Sequence, residues 1–87
     1  MRNIRLSGRE ARVVRVIGFA EGMLGAEIQD NTQMDAEDVT DTLNSLISAG
    51  FVEPVPYRDQ VDMAEMPTVS FELNAAYTHE LRGALRH

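Results

Sequence analysis

Between Ser7 and Leu24 the apolar residues Val13, Val16, Ile17, Ala20 and Leu24 recur at helical spacing and gather on one face, with Arg12 and Arg15 roughly opposite. Ser7-Gly8-Arg9-Glu10 reads as a capping box: the serine oxygen accepts one orphan backbone N–H and the glutamate accepts another, so a helix is expected to start there. Gly18 within the stretch costs about 1 kcal/mol against alanine in a helix interior, and Gly22 is the expected stop. Leu24 to Thr32 reads as a short second helix anchored by Leu24 and Ile28, with Asp30, Asn31 and Thr32 weakening its end. The third helix is clearer. Asp35 is its expected N-cap, Glu37 and Asp38 lie in the first turn where the helix dipole favours negative charge, and Val39, Leu43, Leu46 and Ile47 form the buried stripe before Gly50.

Beyond Gly50 the period changes. Phe51-Val52-Glu53 starts as a strand, and Pro54 and Pro56 confine its continuation to an edge or a loop. Arg58 to Pro67 is a polar, acidic connection interrupted by Val61, Met63 and Met66. Thr68 to Leu73 alternates, with Val69, Phe71 and Leu73 on one face and Thr68, Ser70 and Glu72 on the other, which is the pattern of a half-buried strand pairing back on the first. Asn74 is a candidate cap for a last helix over about 75–86, in which Tyr77, Leu81 and Leu85 fall at four-residue spacing. Asn3 to Leu6 also alternates and offers a third strand. Internal repeats, low-complexity tracts and domain boundaries are not evident, so residues 1–87 read as one domain with its core over about 8–73.

From Glu27 to Leu43 the chain resembles the helix-turn-helix of bacterial winged-helix transcription regulators. Ile28 falls where that family has an aliphatic residue in the second helix, Met34 where it closes the turn, and Asp35 at the capping position usually held by serine. Val39 and Leu43 fall on the buried face of the recognition helix, and Leu46 to Glu53 looks like the family's helix end, glycine and start of the wing. Two residues depart from the pattern: Gln29 stands where a small residue lets the helices approach, and Gln33 where glycine makes the turn. The resemblance implies a mainly α fold with a small β wing, that is, a winged helix-turn-helix with a three-helix core, a β-hairpin and a C-terminal helix.

Charge changes what that implies. The net charge of -6 divides unevenly: residues 1–18 hold five arginines against Glu10, residues 19–80 hold thirteen acids against Arg58, and Arg82 and Arg86 follow. In the family the exposed face of the third helix enters the major groove. Projection at 100° per residue puts Glu37, Asp41, Asn44 and Ser48 on that face, flanked by Asp38 and Ser45, with no positive charge. Carboxylates facing a polyanion oppose binding, and the wing offers only Arg58. Asn44 reads either as a partner for adenine or as a solvated polar residue.

Three other surfaces are candidates. Arg5, Arg12 and Arg15 with Phe19 form a basic stripe suited to a protein partner or to a second copy's acidic helix; the alternative is a solvated face with Phe19 tucked under the N-terminal segment. Tyr77, Leu81 and Leu85 form a seam read equally as a symmetric dimer surface or as core packing. A homodimer, a protein partner and DNA thus all enter as possible partners, with DNA disfavoured at the recognition helix.

Chemistry is sparse. Zero cysteines exclude disulfides, thiolate metal sites and cysteine nucleophiles, and fit a reducing compartment. Neither His79 nor His87 has a ligand set, and Asp30 to Asp38 lacks the alternating acids, central glycine and terminal glutamate of a calcium loop. There is no glycine-rich phosphate loop or nucleophile elbow, so neither a cofactor nor an enzymatic activity is expected. With no long apolar run and no signal-like N-terminus, a cytoplasmic location without a membrane role is expected. The expectation is a non-catalytic winged-helix module working mainly through protein contacts, with sequence-specific DNA binding through helix 36–48 as the alternative.

Overall fold

The capping box at Ser7 forms in full. The Glu10 N–H donates to Ser7 Oγ at 3.1 Å and the Ser7 N–H donates to Glu10 Oε1 at 2.8 Å, starting α1 (Gly8–Ile17). The computed structural model describes residues 4–19 and 21–86. After α1 come β1 (Met23–Leu24), α2 (Gly25–Thr32), α3 (Ala36–Ala49), β2 (Val52–Val55), β3 (Ser70–Leu73) and α4 (Thr78–Leu85), with 3-10 turns at Met66–Thr68 and Ala75–Tyr77. The fold is therefore mainly α, with a small antiparallel sheet in the order β1-β3-β2.

Several boundaries correct the sequence reading. α1 ends one glycine earlier than expected: Gly18 takes φ +74°, open to glycine at little cost, and its N–H donates to Val14 O at 3.0 Å. Gly18 is thus a terminator and not an interior residue. Ala20 lies outside the described residues, and Leu24 belongs to β1, where it is exposed and anchors neither helix. Val14 joins Val13 and Ile17 in the buried face while Val16 is only half-buried, because α1 is packed by α2, α3 and β3 together.

The third strand comes from Met23–Leu24 and not from the N-terminal alternation. Residues 4–6 belong to no strand, and Asn3 is outside the described residues. The hairpin forms as expected, with Val52 opposite Leu73, Glu53 opposite Glu72, Pro54 opposite Phe71 and Val55 opposite Ser70. Pro54 is accommodated because β2 is an edge strand. β3 begins at Ser70, two residues late, since Met66–Thr68 winds into a 3-10 turn under α2. There Gly25 is obligatory: a Cβ on it would run into the Met66 carbonyl and sulfur.

α3 follows the prediction closely. Val39, Leu43, Leu46 and Ile47 are buried, joined by Thr40 and Thr42. Asp35 holds the N-cap position, although its side chain makes no capping hydrogen bond. At the other end Gly50 is left-handed at φ +84°; its N–H donates to Ile47 O and the Phe51 N–H to Leu46 O, both at 3.0 Å, closing a Schellman cap. Asn74 then ties three elements together. Its N–H donates to Phe51 O and its Nδ2 to Gly50 O, both at 2.8 Å, and its Oδ1 accepts from the Ala76 N–H.

Candidate functional site

The exposed surface of α3 is built by elimination. With the apolar stripe turned inward, Glu37, Asp41, Ser45 and Ser48 are left exposed, so the open face consists of carboxylates and hydroxyls. Asp38 sits at one margin, half-buried, where Arg9 of α1 pairs with it at 3.4 Å. Asn44 sits at the other margin and is not free. Its Nδ2 donates to Val61 O and its Oδ1 accepts from the Val61 N–H, each at 2.9 Å, so one amide satisfies both main-chain groups of a buried residue 17 positions away. The candidate base-reading side chain thus clamps the β2–β3 connection.

That connection is less solvated than its composition suggests. Val61 and Met66 are buried in the core, while Met63 is exposed. The apolar interruptions were the available signal; which of them turn inward depends on the Asn44 clamp and the glycine at 25, neither of which local pattern reveals. Arg58 pairs with Glu65 at 3.0 Å and donates to Pro56 O at 3.4 Å, so the cation assigned to the hairpin is already engaged. The exposed Tyr57 hydroxyl donates to Asp59 at 3.1 Å. That hydrogen bond, then the charge of Asp59, and lastly Glu53, hold the phenol above its ordinary range.

The basic stripe divides into engaged and unengaged members. Arg15 donates to the Leu85 carbonyl at 2.9 Å, where the negative end of the α4 dipole favours a cation. Phe19 is half-buried, with the Arg82 guanidinium of α4 4.9 Å from its ring centre. Arg5 and Arg12 are exposed and have no hydrogen bond or ion pair among the described residues. The Tyr77, Leu81 and Leu85 seam faces inward: Leu81 is fully buried within the single chain, Leu85 packs against the core, and Tyr77 meets Phe51 edge-on at 5.1 Å. Leu81 is thus a core residue, while Tyr77 and Leu85 stay half-buried at its edge.

Between the start of α1 and the middle of α3 lies an open groove of about 320 Å³, lined by Ser7, Arg9, Glu10, Asp41, Thr42 and Ser45. Ser7 and Glu10 are occupied in the capping box. Among the described residues no three histidines, aspartates or glutamates gather as metal ligands, and no helix is long and apolar enough to cross a membrane. His87 lies outside the described residues. No protein-family model, curated protein or solved structure matches the chain.

Proposed function

We propose that the chain is a winged-helix module of the transcription-regulator type, acting mainly through protein contacts. Three helices followed by an antiparallel hairpin and a closing helix support the winged-helix reading, as does the short turn from α2 to α3, in which Gln33 takes the left-handed φ of +57° usual for glycine. The preference for protein contact over base reading rests on one observation: the open face of α3 carries Glu37 and Asp41 and no cation, while Asn44 spends both ends of its amide on Val61. Phosphate neutralisation supplies most non-specific DNA affinity, and this face works against it.

Sequence-specific DNA binding is the second reading, favoured by Arg5 and Arg12, which are exposed and available to phosphates. A salt titration of fluorescent duplex DNA separates the two. The expected result is no binding in the micromolar range at physiological salt; binding that is tight at low salt and falls steeply as salt rises sinks the protein-contact reading.

A further inference from the structure

We propose that the outer face of the sheet docks onto the α1 side of a second copy, in a head-to-tail contact; this rests on the protein-contact reading above. The strand register builds two rungs on that face. Leu24, Ser70 and Val55 pair across β1, β3 and β2 to make the first, with Leu24 43% and Val55 47% exposed on either side of the small serine. This is a shallow apolar saddle, left exposed at both sides. The next rung sets Glu53 directly opposite Glu72, and neither has an ion-pair partner among the described residues. Like charges facing each other across a strand pair destabilise the isolated sheet.

The carboxylates select the occupant. Two such faces meeting about a two-fold axis would put four glutamates into one interface, so charge works against a sheet-to-sheet dimer. An occupant must bring cations, and this chain holds unpaired ones within α1 and just before it. Arg9 and Arg15 are engaged with Asp38 and Leu85, but Arg5 and Arg12 are exposed with no partner among the described residues. α1 packs against the inner side of β3 through its buried face, and Arg12 projects from the opposite surface of that helix. Arg12 of one copy therefore points away from its own saddle and can reach that of the next. A contact between two different patches does not close on itself, so copies add in series.

Sedimentation across a concentration range tests this. The expected result is an average mass that rises without levelling at a dimer, up to about 300 µM protein in ~20 mM salt, and that falls toward the monomer above the screening range of salt. E53R/E72R and R5E/R12E chains are each expected to remain monomeric, and an equimolar mixture to associate in alternation, since the arginines of the first variant meet the carboxylates of the second at both patches. L24S/V55S, with circular dichroism confirming the fold, is expected to abolish association, and E53Q/E72Q to weaken it. A wild-type chain monomeric throughout, an E53R/E72R or L24S/V55S chain that associates as the wild type does, or a mixture that fails to associate overturns the proposal. A monomer that also ignores duplex DNA leaves the protein-contact reading standing with a different partner, whereas duplex binding removes that reading as well.

Discussion

Gln33 holds φ at +57° between α2 and α3, and its N–H still closes α2 by donating to Gln29 O at 2.9 Å. A residue with a Cβ is strained there, and glycine is not. Gln33→Gly is therefore expected to raise stability, by roughly 0.5 kcal/mol once the added freedom of the unfolded chain is subtracted, as read by urea unfolding. Tyr57 makes a pH-dependent prediction. Its phenol is held above the ordinary value near 10 by the hydrogen bond to Asp59, so the small stabilisation it brings is present below that value and lost as pH rises through the higher folded one. Ultraviolet titration of wild type against Asp59→Asn is expected to show one phenol returning to the ordinary range in the variant. Identical curves would remove the Asp59 assignment.

At the scale of elements, the informative joint is between α3 and the β2–β3 connection. Asn44→Ala leaves both main-chain groups of Val61 without partners in a buried setting, at an expected cost of about 2 kcal/mol, with the loss of amide-exchange protection at Val61 exceeding that in β3. Equal loss across both would mean that Asn44 supports the whole domain and does not specifically hold the connection. Gly25 is the second joint. Gly25→Ala forces α2 away from the 3-10 turn at Met66 and is expected to destabilise by roughly 1–3 kcal/mol, although alanine is the better helix former. α3 needs no such tertiary support to be recognised. Its stripe, acidic first turn and glycine end are set by nearest neighbours along one helix, which is why its boundaries were legible before any packing was known.

On the scale of the whole molecule, the C-terminal segment is a structural member of the domain. Asn74 bonds to Gly50 and Phe51, Tyr77 packs on Phe51, Leu81 is fully buried, and Leu85 receives Arg15. Removing residues 74–87 is expected to abolish the cooperative thermal transition, and Leu81→Ala to cost about 2–4 kcal/mol while retaining it. A truncated chain with an unchanged transition would show that the segment is not needed for the fold. Sequence by itself determined the helices that carry their own periodicity and caps, the glycine stop at 50, the pairing of the two long strands, and the charge imbalance between the ends and the middle. These depend on spacing along the chain and on local hydrogen bonds. Tertiary structure alone decided that Gly18 ends α1, that Met23–Leu24 supplies the third strand, that Asn44 binds the main chain instead of facing outward, and that Leu81 of the terminal seam is core. Each of those depends on which distant surface arrives beside a residue, and a two-residue strand or a single amide has too little periodicity of its own to announce that neighbour.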